Sequence, residues 1–224
     1  MKNKLTIALP KGRLGDQTIE VLKRIGLGDG IDDTSRKLIF TDQNQEFAYM
    51  LVKPSDVITY VERGVADLGI IGKDSLMEDQ ADVYELIDLG FGKCRFAVAG
   101  KTSIAIQKDE VLKIATKYPN VTKAYFEKKN QPIDIIKLNG SVELAPLVGL
   151  SDVIVDIVET GSTLKANGLE ILEVMHDISA RLIANRVSYR FKYEKITRIK
   201  NALWEVISWF VSLMNKTIVK YLIN

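Results

Sequence analysis

The sequence contains one cysteine, one histidine and five prolines, and it has almost no net charge. A lone thiol, Cys94, excludes an intrachain disulfide framework and fits a reducing compartment. Neither Cys94 nor His176 lies in a recognisable nucleophile signature, which argues against Cys-His or Ser-His-Asp catalysis and leaves His176 a structural or exposed role. Lys and Arg number 31 against 29 Asp and Glu, a formal charge of +2. No global field directs such a chain to nucleic acid or to a membrane, so any anion site has to be local. Long apolar runs are also missing. Leu5 to Leu9 is interrupted by Thr6 and ended by "PKGR", too short for a signal-peptide core. The most apolar segment, Val206 to Met214, contains two serines and stops well short of the roughly 20 residues that span a bilayer. The expected compartment is the cytoplasm. No Pro/Ser-rich linker, repeat or low-complexity tract divides the chain.

What is present is a chain of 224 residues, 46% hydrophobic, long enough for a sizeable core and intermediate between one large domain and two small ones. Strand-like and helix-like segments alternate. "LTIAL" precedes a helical pattern from Gln17 to Ile25, and "FAYMLV" precedes "PSDVITYVERG", with Pro54 suited to a first helical turn and Gly64 to a stop. "ADLGIIG" and "VYELIDL" flank a short helix near Asp74 to Met77. A second run starts at "RFAVAG". It continues with an expected helix around Asp109 to Lys117, strands near Ala124 to Phe126 and Ile135 to Leu138, a helix from Val142 to Val148, and strands "DVIVDIV" and "EILEVM" around a short helix. This is α/β order, with a boundary near residue 90 if each half forms its own parallel sheet.

The stretch "DIVETGSTLKANGL", from Asp156 to Leu169, carries the chemistry. Gly161 lets the backbone approach a ligand without a Cβ, while Thr160, Ser162 and Thr163 offer hydroxyls beside the N–H groups of a helix start. Such a turn suits a phosphate dianion. Asp156 and Glu159 would repel one, so they are expected to serve sugar hydroxyls or a magnesium ion, and sugar plus phosphate suggests a phosphorylated ribose. The structural alternative is a threonine cap on a surface helix with acids near its N-terminus.

The run "SDVIVDIVETGSTLKANGL" resembles the phosphoribosyl pyrophosphate signature of the ATP phosphoribosyltransferase family. Further segments are similar to that family in the right order: "IALPKGRL", "YVERGVADLGIIGKDSL", "DLGFGKCRFAVA", "KYPN", "NGSVELAPLVGLSD" and "ISARLIANRVSYR". The resemblance implies an α/β, two-lobed fold like that of type II periplasmic binding proteins, with the active site in the interlobe cleft. Lobe I would comprise 1–90 plus about 179–224, and lobe II 91–178 with the phosphoribosyl pyrophosphate loop. The implied reaction, the first of histidine biosynthesis, moves phosphoribose from phosphoribosyl pyrophosphate to N1 of the adenine of ATP. It releases pyrophosphate and requires magnesium. The chain ends before the regulatory domain of the long form, so the resemblance implies the short form: a homodimer within a hetero-oligomer, working with a regulatory subunit that resembles histidyl-tRNA synthetase.

Matching positions imply the site. Glu159, Thr160, Gly161, Ser162 and Thr163 would hold the 5-phosphate, and Asp156 the ribose hydroxyls or their magnesium. Lys11 and Arg13 follow the first strand, at the carboxyl edge where open α/β sheets bind ligands, and are assigned to pyrophosphate or triphosphate. Asp74 and Ser75 would lie near the adenine nucleotide, and Glu143 would face the ribose. Lys53 stands where the family has Arg, and Ile58 where it has Pro. Lysine keeps the charge for a leaving-group contact but loses the bidentate fork. No general base is assigned, because the attacking adenine nitrogen already carries a lone pair.

The tail after Tyr193 departs from the resemblance. Leu203, Ile207, Phe210, Met214, Ile218 and Tyr221 keep helical spacing, while Trp204, Trp209 and Leu213 add apolar surface beside that stripe. A helix packed on its own lobe and one shared between subunits both fit this pattern. Two functional rivals remain at this level: a non-catalytic two-lobed small-molecule binding or effector-sensing module, and a type I phosphoribosyltransferase. The first has no need of acids beside a phosphate turn, and the second usually has its acids adjacent.

Overall fold

The computed structural model describes residues 4–32, 34–104 and 110–222, with side chains described as far as Trp209 in the last helix. In chain order the elements are β1 (Leu5–Pro10), α1 (Arg13–Arg24), β2 (Ile39–Thr41), β3 (Phe47–Val52), a 3-10 turn (Pro54–Asp56), α2 (Val57–Glu62), β4 (Leu68–Gly72), α3 (Lys73–Asp79) and β5 (Val83–Asp88). There follow β6 (Cys94–Gly100), β7 (Leu112–Thr116), α4 (Pro119–Lys128), β8 (Ile133–Lys137), α5 (Leu144–Leu147), β9 (Val153–Val158), α6 (Ser162–Ala166) and β10 (Glu170–Ile178). The chain closes with β11 (Ala180–Asn185), α7 (Arg186–Phe191) and α8 (Tyr193–Leu222).

Two compact units result. The first takes the chain up to Lys73, Ala81–Gly92 and everything from Ser179 on, and the second takes Asp74–Gln80 and Lys93–Ile178. The first unit is built on a sheet ordered β2-β3-β1-β4-β11-β5. Strands β1, β3 and β4 are parallel, whereas β2 and β11 run against their neighbours. The expected parallel sheet is therefore mixed. Strand β11, from the end of the chain, is inserted between β4 and β5. The core joins Leu5, Ile7 and Leu9 of β1 to Leu22 of α1, Tyr49 of β3 and the stripe Ile196, Ile199 and Leu203 of α8. At the amino end of this sheet the buried Asp67 carboxylate accepts from the Thr6 N–H at 2.8 Å, Ser188 Oγ at 2.6 Å and Lys192 Nζ at 2.7 Å. It thereby ties β1 and the start of β4 to α7.

The second unit has the sheet order β10-β6-β9-β7-β8, with β6 antiparallel to both of its neighbours. This sheet too is mixed rather than parallel. Both faces are covered. Phe96, Val98, Val153 and Val155 fill one side, and Ala97, Ala99, Ile154 and Val158 the other. Two buried faces explain why "VIV" reads as a continuous apolar run rather than an alternation.

Two element assignments are corrected. The segment expected as a helix around Asp109 to Lys117 contains β7 from Leu112 to Thr116, with Asp109 outside the described residues. The segment expected as a strand at Ala124 to Phe126 belongs to α4, which Pro119 opens and which buries Val121, Thr122 and Phe126. In the tail, Leu203 is buried and Ile207 packs on the core, while Trp204 and Trp209 are exposed. The side chains of Phe210, Leu213, Met214, Ile218 and Tyr221 lie outside the described residues.

Candidate functional site

In the second unit the site grows from the carboxyl end of β9. The apolar run of that strand breaks at Asp156, which is half-buried, and its carboxylate accepts the N–H of Ile157 at 2.8 Å. Burial pushes its pKa up to about 6, against the Ile157 bond; Glu143 pushes the same way, Lys117 opposes, and Asp74 adds to the rise. Three acids from three elements therefore share one electrostatic neighbourhood: Asp156 after β9, Glu143 at the mouth of α5 and Asp74 in the first turn of α3. Among the described residues, no group of three or more His, Cys, Asp or Glu is placed to hold a metal ion.

The turn that follows is Glu159 to Thr163. Gly161 has φ of +79°, the left-handed region that favours glycine, and a Cβ there would meet only Val158 Cγ1 at 3.8 Å. Conformation rather than crowding therefore selects glycine. Thr160 Oγ1 lies 3.0 Å from Ser162 Oγ and 3.3 Å from the Ser162 nitrogen, which donates to it. Thr160, Ser162 and Thr163 are all exposed, as is Glu159, so the side chains of the turn face solvent.

One group was not singled out from the sequence. Tyr118 stands just beyond β7, and its hydroxyl donates to Asp74 Oδ2 at 3.0 Å. The ring is held edge-on to Phe96 at 4.9 Å, and its own backbone N–H donates to Thr116 Oγ1. Burial and the neighbouring Asp74 and Asp156 carboxylates raise its pKa, so the phenol stays protonated and can only donate to Asp74. Lys117, beside it, is the cation that moderates Asp156. The signal was available: both residues follow a strand at the edge where such sheets bind ligands. Reading Asp109 to Lys117 as helix concealed that strand end. Ser75 follows Asp74 in α3 and is half-buried.

In the first unit, Lys11 and Lys53 leave adjacent parallel strands at the same edge. Pro10 is in register with Val52, and the Lys11 N–H donates to the Val52 carbonyl at 2.8 Å. Both lysines are exposed, as is Arg13, the first residue of α1. That helix starts hard against the strand end, since a Cβ on Gly15 would lie 1.9 Å from the Pro10 carbonyl oxygen. His176 is exposed in β10, edge-on to Tyr125. No helix among the described residues is long and apolar enough to cross a membrane.

Comparison with known proteins gives this arrangement a family. The family description "ATP phosphoribosyltransferase" matches residues 53–205. An ATP phosphoribosyltransferase of Clostridioides difficile is 66% identical over 196 residues, covering 87% of this chain and 94% of its own. Among solved structures, the ATP phosphoribosyl transferase (HisG:HisZ) complex from Thermotoga maritima contains a chain 41% identical, with a TM-score of 0.79, covering 91% of this chain and 98% of that one. The periplasmic aliphatic sulphonate binding protein SsuA from Escherichia coli aligns over 97% of this chain and 77% of its own, with a TM-score of 0.60 at 13% identity. That likeness concerns the fold alone, which is the two-unit α/β type of periplasmic binding proteins, as the resemblance implied. By the reach of the family match and the identity to its members, the chain belongs to the ATP phosphoribosyltransferase family.

Proposed function

We propose that the chain transfers phosphoribose from phosphoribosyl pyrophosphate to N1 of the adenine of ATP, releasing pyrophosphate, as the first step of histidine biosynthesis. The observation that carries the reading is the end of β9. A half-buried acid stands directly before an open hydroxyl turn whose glycine has a positive φ, in a chain 66% identical to a named ATP phosphoribosyltransferase. A sensing module has no use for that combination.

In this reading the amides and hydroxyls from Glu159 to Thr163 bind the 5-phosphate, and Asp156 accepts from the ribose hydroxyls. Glu143 faces the same sugar. Tyr118 holds one oxygen of Asp74, which orients that carboxylate, with Ser75 beside it, toward the adenine nucleotide. Departure of pyrophosphate builds positive charge on the anomeric carbon and negative charge on the leaving oxygens. The acids of the second unit stabilise the first charge. Lys11, Arg13 and Lys53 are the basic side chains that the resemblance assigns to pyrophosphate or triphosphate, with Lys53 as a point charge where the family has a fork.

Magnesium suits this residue set when it is carried by substrate phosphates, because such an ion needs only one or two carboxylates from the protein. Asp156, whose ionisation is opposed by burial and by two acids, is the carboxylate that gains most from a cation beside it. When bound, the ion would neutralise developing charge on the leaving pyrophosphate. Glu159 is the second carboxylate within reach of the turn.

The similar Thermotoga maritima chain belongs to a HisG:HisZ complex, and we infer a regulatory partner of that kind here, with the present chain as the short-form catalytic subunit in the cytoplasm. The deciding experiment incubates the purified chain with ATP, phosphoribosyl pyrophosphate and magnesium, alone and with the candidate partner, and follows adenine absorbance. Product formation in either mixture supports the reading. Its absence in both, with folded protein and demonstrated complex, refutes it.

A further inference from the structure

Arg95 is the second residue of β6, placed opposite Val158 of β9, with Ala97 opposite Asp156. Directly opposed residues leave a sheet on the same face. Here that is the face filled by Ala97, Ile154 and Val158. Arg95 thus shares a face with Asp156 and stands beside the last residue of β9. The turn comes back to this spot, since a Cβ on Gly161 would lie 3.8 Å from Val158 Cγ1.

The Nε of Arg95 is buried and, among the described residues, has no hydrogen-bond partner. Asp177 stands directly across from Arg95 on the other neighbouring strand, β10, and does not satisfy that nitrogen. A buried donor without a partner carries its full desolvation cost, which a bound acceptor would remove. The turn beside it has no basic side chain of its own, and Lys117 is the cation that acts on Asp156. From Glu159 to Thr163 the turn contains an acid, three hydroxyl residues and glycine, and Asp156 adds a second acid. A phosphate dianion seated there would face two carboxylates with no compensating charge from the turn itself. A guanidinium offers the planar fork that pairs with phosphate oxygens.

We propose that Arg95 is a binding residue for the 5-phosphate of phosphoribosyl pyrophosphate, delivered from β6 to the side of the Glu159 to Thr163 turn. The proposal rests on reading that turn as the phosphate loop, and its test separates the two.

Parent, Arg95→Met and Arg95→Lys proteins are titrated by calorimetry with phosphoribosyl pyrophosphate and magnesium. Ribose 5-phosphate, pyrophosphate and ATP are titrated separately. A parent that fails to bind phosphoribosyl pyrophosphate removes the phosphate-loop reading and the proposal with it. With binding by the parent established, Arg95→Met is expected to weaken phosphoribosyl pyrophosphate and ribose 5-phosphate by about tenfold or more, with pyrophosphate and ATP changed less than about twofold. Arg95→Lys, which keeps the charge but loses Nε and the fork, should fall between. Unchanged ribose 5-phosphate affinity in the variants overturns the assignment. So does a loss equal for all ligands that tracks a lower melting temperature. Should Arg95→Met prove insoluble, Arg95→Lys decides alone: a loss selective for ribose 5-phosphate supports the proposal, and an unchanged affinity overturns it.

Discussion

Replacing Asp156 by Asn is expected to make the protein more stable at neutral pH and less active. The folded carboxyl is pushed from 3.8 up to about 6 by burial, with Glu143 and Asp74 adding to the rise. Between those values the folded state holds a proton that the unfolded state has released, so stability falls as pH climbs from about 4 to about 6 and is flat above. A tenfold change in an acid's ionisation constant corresponds to about 1.4 kcal/mol, which puts the cost of the ionised acid at up to ~3 kcal/mol. Solvent relaxation around a half-buried group lowers this, leaving ~1–3 kcal/mol. Asparagine keeps the oxygen that accepts the Ile157 N–H and removes the charge. Urea unfolding of Asp156→Asn without metal should therefore exceed the parent by ~1–3 kcal/mol at pH 7.5, with the increment vanishing near pH 4. Circular dichroism or amide exchange in β9 is the appropriate readout, because both tryptophans, Trp204 and Trp209, lie in α8 of the first unit and would report the wrong sheet. Turnover with magnesium should fall in the same variant. Equal stability of the two proteins at pH 7.5, or the same increment at pH 4, would refute the electrostatic account.

Other perturbations address other parts of the molecule. Gly161→Val places a β-branched residue at φ +79°, costing ~1–2 kcal/mol or more in the turn; phosphoribosyl pyrophosphate binding by calorimetry should disappear while circular dichroism stays native. Tyr118→Phe removes the hydrogen bond to Asp74, and we expect a loss of ~1 kcal/mol in stability with KM for ATP rising more than KM for phosphoribosyl pyrophosphate in steady-state kinetics; the reverse order would detach Asp74 from the nucleotide. Asp67→Ala strips the Thr6 N–H, Ser188 and Lys192 of their shared acceptor and should destabilise the first unit by ~3 kcal/mol, visible as an earlier tryptophan fluorescence transition, with ligand affinity of the folded fraction unchanged.

The sequence made the geometry of the Glu159 to Thr163 turn legible because its features are local: a strand end, an acid and a glycine that takes a positive φ all fall within a few residues. The edge lysines were legible for the same reason. What escaped depended on pairing distant segments. "VLKIAT" satisfies a helical and an alternating pattern equally well. Only its place between β8 and β9, with Lys113 outward and Ile114 and Thr116 buried, makes it a strand. "AYF" is expected from the sequence as a short strand, yet burial at Val121, Thr122 and Phe126 follows a helix that Pro119 begins. The antiparallel insertion of β11 between β4 and β5 has no local signature, since any apolar segment of that length could pair on either side. Tyr118 was passed over for a related reason: its value lies in reaching Asp74, 44 positions away.

The position of β11 also constrains the order in which the molecule can be made. During synthesis from the amino end, β1, β3 and β4 emerge early, but the strand that covers the free edge of β4 and attaches β5 comes only after Ile178. Until then the growing chain carries the β2-β3-β1-β4 part of the sheet with an open edge next to a loose strand, the type of surface that invites wrong pairing. All of the second unit's strands precede β11, so that unit can close while the first still waits. By chain order alone, the second unit has all its strands before the first can complete its sheet, and a chaperone acting on the growing chain is expected to find its substrate in the first unit.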